Sequence, residues 1–303
     1  MELVKFNLAL LFHLDIFAFQ ILPKMIHKAI LPFVLILLLT GCGKPNDTPE
    51  FVEKERADSI FTEAKDDDYK RKTDTTAIPN FPTEEDMSLE LLLTGGVFHE
   101  DEVKEGSDAK SWFGIFETKE GYRLAETEII TSRGYDAVLD GIGGAKTGWE
   151  IETTLKDTCQ FLIEKIPSLI ERKIPTVKIP ETIQPKKKFK FTFSGIKYTL
   201  SAEGTLKKQD EDSEYMVLAN YRLYLTANIN GKDHTDLLVA QDIFDDQMIK
   251  IIFAGDIDGD GKLDLIIDTS NHYNMGRPTL YLSKEAGEDK IIKPMGMFTF
   301  VGC

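Results

Sequence analysis

Asp256, Asp258, Asp260 and Asp264 occupy positions 1, 3, 5 and 9 of the run Asp256-Ile257-Asp258-Gly259-Asp260-Gly261-Lys262-Leu263-Asp264. Carboxylates crowded at this spacing repel one another unless a hard cation sits among them. Calcium is the natural occupant, since it accepts oxygen ligands in a flexible shell. Gly261 stands at position 6, where the loop must turn sharply, and Lys262 at position 7 can offer its backbone carbonyl with its side chain turned away. The spacing therefore supplies five protein oxygens, from Asp256, Asp258, Asp260, Lys262 and Asp264. Position 12, which carries a Glu in a helix-loop-helix site, is Ile267, so the remaining oxygen is expected from Asp268 or from water.

The elements that must hold this loop read as strands. Ile249-Lys250-Ile251-Ile252-Phe253 and Leu263-Asp264-Leu265-Ile266-Ile267-Asp268 are short and rich in β-branched residues, which gives a strand-loop-strand calcium site. At these aspartates the chain resembles the FG-GAP/VCBS type of repeat, and Thr279-Leu280-Tyr281-Leu282-Ser283 matches the strand that follows the loop in such repeats. The resemblance covers about residues 253–283. It implies an exported protein with a structural calcium ion. Repeats of this type build propellers from several copies; this chain carries one.

The N-terminal segment reads as targeting. Ile30 to Leu39 is an apolar run behind His27 and Lys28, and it ends in Leu39-Thr40-Gly41-Cys42, which resembles a bacterial lipobox. Cleavage before Cys42 would leave its thiol to carry the lipid, making residues 1–41 a signal region. His13 and Asp15 interrupt the first 24 residues, whereas a start at Met25 gives a compact signal of 17 residues, Met25 to Gly41. Gly43 is not the Asp that resembles an inner-membrane retention signal, which favours an outer-membrane destination in a diderm organism. Residues 42–88 then form the lipidated cysteine and a disordered acidic tether, with too little apolar surface to offset the ordering of its backbone.

From Leu89 to Cys303 the composition is globular, and the expected class is mainly β (α+β) with an antiparallel, β-rich domain. Lys110 to Thr118 and Tyr122 to Thr131 read as strands joined across Lys119-Glu120-Gly121. One helix is expected over about 154–166, because Leu155, Cys159, Leu162, Ile163 and Ile166 recur at helical spacing ahead of Pro167. Pro175, Pro180 and Pro185 suggest a division of the domain near 175–185. Beyond it, strands are expected at Ile196 to Ala202, Tyr215 to Ala227, Leu237 to Ile243, Met248 to Ala254, Leu263 to Ile267, Thr279 to Ser283 and Met297 to Val301.

Two motifs argue against polyanion and nucleotide partners. The basic run Lys186-Lys187-Lys188-Phe189-Lys190 opens an alternation of Phe189, Phe191 and Phe193 and reads as a half-buried strand edge, while a net charge of -15 repels nucleic acid. Gly141-Ile142-Gly143-Gly144-Ala145-Lys146-Thr147 has Ala145 where a phosphate loop needs Gly, and reads as a turn.

Cys159 and Cys303 admit two readings: a disulfide closing a loop of over 140 residues, suited to an oxidising compartment, or a free thiol at Cys159 on an apolar face. The expected function is that of an envelope lipoprotein, anchored to the membrane through Cys42, whose calcium-bearing domain binds an unidentified envelope or extracellular ligand as a binding or adhesion module. The alternative is a calcium-dependent hydrolase of glycans or peptides, with Asp268 and His272, near Ser270, as participants.

Overall fold

The computed structural model describes residues 79–209 and 215–302. The chain divides into two units, Met1–Asp67 and Asp68–Cys303, and all described residues lie in the second. Cys42, the expected signal region and residues 43–78 of the expected tether lie outside the described residues.

The described chain is mainly β. Its first half supplies β1 (Leu89–Leu93), β2 (Val97–Phe98), β3 (Trp112–Thr118) and β4 (Gly121–Thr127). β5 (Ile129–Gly134), β6 (Gly148–Thr153), β7 (Thr158–Glu164) and β8 (Arg172–Ile174) follow. The second half supplies β9 (Lys188–Phe193), β10 (Ile196–Lys208), β11 (Met216–Ile229), β12 (Lys232–Ile243) and β13 (Lys250–Gly255). It ends with β14 (Asp264–Asp268), β15 (Met275–Gly276), β16 (Pro278–Leu282), β17 (Lys293–Met297) and β18 (Phe300–Val301).

Nine strands join in the order β13-β14-β16-β17-β1-β7-β3-β4-β8, every pair antiparallel except β1 with β17. A second sheet runs β12-β11-β10-β9. Strands β13, β14 and β16 are shared between two cores. Phe253, Ile266, Leu280 and Leu282 enter one core with Trp112, Ile115 and Leu162. Ile251, Leu265, Ile267 and Tyr281 point the other way, into a core with Leu223, Leu225 and Val239 of the four-stranded sheet. Side chains alternate across a strand, so burial on both faces explains why these strands are continuous apolar runs rather than alternating ones.

The expected helix over 154–166 is a strand. β7 lies between β1 and β3, and Phe161, Leu162 and Ile163 are all buried. A fully buried strand is apolar on both sides and reproduces the i, i+4, i+7 matches of a helix; partners along both edges then decide the outcome over local periodicity. The expected hairpin across Lys119-Glu120-Gly121 forms as β3 and β4, but the second strand breaks at Glu128, and β5 joins a different sheet with β6 and β2. The basic run opens β9, an edge strand with Phe189 and Phe191 stacked at 5.7 Å.

The prolines near 175–185 lie along a seam within the compact unit Asp68–Cys303. After β8, at one end of the nine-stranded sheet, the chain runs along β13, at the other end: Asp256 N donates to Pro175 O at 2.9 Å, Val177 N to Ala254 O at 3.1 Å and Ile251 N to Glu181 O at 2.6 Å. This strip draws the open sheet toward a barrel. Residues before 89 also pair with the β-rich domain, since Phe81 exchanges two backbone bonds with Ala240, at 2.9 and 2.7 Å.

Candidate metal centre

The loop between β13 and β14 stands at this seam. Gly259 and Gly261 have φ of +82° and +81°, so the chain doubles back twice within three residues, a path that side-chain-bearing residues resist. The turn brings ligand oxygens of Asp256, Asp258 and Asp260 within 4.8 Å of one another. Asp256 and Asp258 are buried, and Asp260 is largely so. Among the described residues, this is the group of acidic, His or Cys side chains gathered closely enough to hold a metal ion.

Hydrogen bonds fix each carboxylate in place. Asp256 Oδ1 accepts from Gly259 N at 2.7 Å, while its Oδ2 accepts from Gly261 N at 3.2 Å and from Arg172 Nη2 at 3.1 Å. Asp258 Oδ2 accepts from Lys284 N at 2.9 Å. Asp260 Oδ1 accepts from Lys262 N at 2.8 Å and from Ser283 Oγ at 3.0 Å.

Asp264 has a different task. Its Oδ2 accepts from Ile257 N and Asp258 N at 2.6 and 3.0 Å, and its Oδ1 accepts from Ser283 N at 2.7 Å and, at 2.8 Å, from Ser283 Oγ, whose one proton it shares with Asp260 Oδ1. With both oxygens engaged and no exposure, Asp264 is the internal brace that curls the loop, and it stands outside the close group of three. Lys262 differs from expectation too: its partly exposed side chain folds back on the loop, Nζ 3.0 Å from Asp260 Oδ2. Asp268 does not serve the loop. It sits at the far end of β14, roughly 13 Å along the strand, where its Oδ1 accepts from Ser270 N and Arg277 N at 3.0 and 2.9 Å.

Ionised together, the four carboxylates of Asp256, Asp258, Asp260 and Asp264 would outnumber the two basic groups paired with them, Arg172 and Lys262, and the largely buried loop resists that excess. Burial, followed by the charges of Asp260 and Asp256, pushes the Asp258 carboxyl above its usual range despite the bond from Lys284 N. Burial and the charge of Asp258 push Asp264 well above it. An all-oxygen, net-negative, pre-curled loop fits a hard cation and no soft one.

Two contributors lie beyond the sequence reading. Ser283 ends the segment that follows the loop, where a hydroxyl carries no signal of its own. Arg172 comes from 84 positions away, and no local pattern marks it. Tyr198 of β10 also reaches the loop, its hydroxyl accepting from Leu263 N at 3.3 Å, and burial pushes that phenol up to about 12.

Asp268, Ser270 and His272 do not converge as a catalytic set. Ser270 Oγ accepts from Gln247 Nε2 at 3.1 Å, while His272 Nε2 lies 3.0 Å from Asp245 and its ring stacks on Tyr273 at 4.6 Å. Cys159 sits half-buried on β7 as a free thiol donating to Phe161 O at 3.4 Å; Cys303, its partner in the disulfide reading, lies outside the described residues. No family model, no curated protein and no solved structure matches the chain.

Proposed function

We propose that this protein is an exported lipoprotein, attached to an outer membrane through Cys42, whose β-rich domain is locked by one structural calcium ion and serves as a cell-envelope binding module. The observation that carries the reading is the gathering of Asp256, Asp258 and Asp260 within 4.8 Å, on a loop whose first residue is bonded to the seam strip at Pro175. A cation here would neutralise the loop and tie β13, β14 and β8 together through Asp256 and Arg172. The arrangement suits permanent occupancy, in the range of about 10⁻⁴ to 10⁻³ M affinity used by extracellular calcium modules. The FG-GAP-like spacing of the aspartates supports calcium over magnesium, because a flexible loop of carboxylate and carbonyl oxygens suits calcium's adaptable shell.

The anchor and the ion are tested separately. Palmitate labelling of the chain expressed in a diderm bacterium should mark the wild type and leave Cys42→Ser unlabelled; equal labelling of both removes the anchor from the account. Equilibrium dialysis should load one calcium per chain on wild type and none on Asp258→Asn/Asp260→Asn, and equal loading of the two removes the site.

A further inference from the structure

The loop between β5 and β6, residues 135–147, exposes more apolar side chain than any folding role requires. Val138, Leu139 and Ile142 are 52%, 64% and 104% exposed, and Tyr135 is 45% exposed. They are not loose. Asp136, itself buried, accepts from Val138 N and Leu139 N at 2.9 and 3.1 Å, and Asp140 accepts from Asp136 N, Thr147 N and Thr147 Oγ1 at 2.8, 3.0 and 2.7 Å. His99 Nδ1 closes on Asp136 at 2.5 Å from outside the loop. Two carboxylates are thus spent on holding a turn whose tip is apolar.

The charge pattern singles out the same tip. In a chain with 29% charged residues and a net charge of -15, residues 137–145 hold one charged group, Asp140, already satisfied by Thr147. Within residues 137–147 the one charge besides Asp140 is basic, on Lys146, while the acidic Asp101 and Glu102 act on His99 where it meets Asp136. Around Gly141 and Gly143 nothing lies within 4 Å of where a side chain would begin, so the tip is convex and stands in open space. A convex apolar tip on a rigid base, with a cation beneath it, complements the acyl and phosphate layers of a bilayer rather than a protein groove.

We infer that residues 135–147 are a lipid-insertion loop that places Val138, Leu139 and Ile142 at the boundary between headgroups and acyl chains. The choice of a bilayer as occupant rests on the anchor reading: 36 residues, 43–78, separate Cys42 from the first described residue, which confines the domain to at most about 130 Å from the lipid even at full extension. Under that confinement a weak second contact is sufficient to hold the domain against the surface.

The test uses the chain beginning at Gly43, which lacks the anchor and contains the whole unit Asp68–Cys303 with both cores, and vesicles of phosphatidylcholine and phosphatidylethanolamine. Wild type should co-sediment with vesicles, and Leu139→Asp and Ile142→Asp should each weaken partitioning by about tenfold or more while melting like wild type, since both side chains face solvent. A dye on Ile142→Cys in a Cys303→Ser background should shift to the blue with vesicles and be quenched by spin-labelled lipid. Absence of co-sedimentation, or co-sedimentation untouched by the substitutions, overturns the inference. So does concentration-dependent dimerisation abolished by Ile142→Asp, which would assign the tip to a second copy. Because Cys42 is absent from this chain, none of these failures bears on lipidation or on calcium.

Discussion

Arg172 and Asp256 lie 84 positions apart, yet their side chains meet at 3.1 Å where the two ends of the nine-stranded sheet approach each other. The pair joins the first residue of β8 to the start of the aspartate loop. It also sets a positive charge beside a site proposed for a cation, so it supports the loop while competing with the ion's charge.

Replacing Arg172 by Gln separates these effects. Without cation, loss of the partly buried charge-assisted bond should lower stability by about 1.5–3 kcal/mol. With one repelling charge gone, calcium should bind more tightly and raise the melting temperature of Arg172→Gln more than that of wild type. Melts of both chains with and without calcium decide the matter; an equal calcium-induced rise would show that Arg172 does not feel the ion.

Two glycines of the loop make a controlled comparison. A Cβ at Gly259 would collide with the Arg172 guanidinium at Nη1, whereas one at Gly261 meets nothing within 4 Å, and both have φ near +80°. Gly261→Ala should cost only the backbone strain, about 1 kcal/mol. Gly259→Ala should cost that and also push the guanidinium from Asp256. In an Arg172→Ala background the two substitutions should become equal, and a persistent gap in a double-mutant cycle would refute the link.

What the sequence disclosed and what it hid divide along local and distant contacts. The loop, its flanking strands and the turn glycine are legible because spacing within nine residues decides them. The edge strand at Phe189, Phe191 and Phe193 is legible for the same reason. The strand Thr158–Glu164 was not, because Phe161, Leu162 and Ile163 are buried on both faces and their partners come from β1 and β3. Nor was the role of Pro175, since a proline-rich run resembles a linker until β13 lies beside it. Asp264 matched a ligand position by spacing, and only the four donors around it, from Ile257, Asp258 and Ser283, reveal a brace.

The loop at 135–147 carries a pH dependence. The bond to Asp136 raises the His99 pKa above its ordinary value, aided by the charges of Glu102 and Asp101 and opposed by burial. A raised folded-state pKa means that the stabilisation is complete below the unfolded value, about 6.5, and is lost as pH rises through the folded value. Wild type should therefore lose stability relative to His99→Gln as pH climbs from about 6 to 8. Parallel melting curves across that range would contradict the pairing.

Cys159 offers a test of the interior of β7. Burial pushes its thiol up to about 12, so little thiolate exists at neutral pH. In a Cys303→Ser chain, alkylation of Cys159 should be negligible in the folded state and fast in denaturant; rapid labelling of the folded chain would place β7 at the surface.

The most direct test of the central claim is calorimetric titration of calcium into the chain beginning at Gly43, beside Asp258→Asn/Asp260→Asn, with melts of each. Wild type should bind one ion with affinity near 10⁻⁴ to 10⁻³ M, roughly, and melt higher when loaded. The double variant should give no heat and, relieved of repulsion, melt without calcium at or above the unloaded wild type. A flat titration at millimolar calcium, with melts that ignore the ion, would make the aspartate loop an acidic turn and remove calcium from the account.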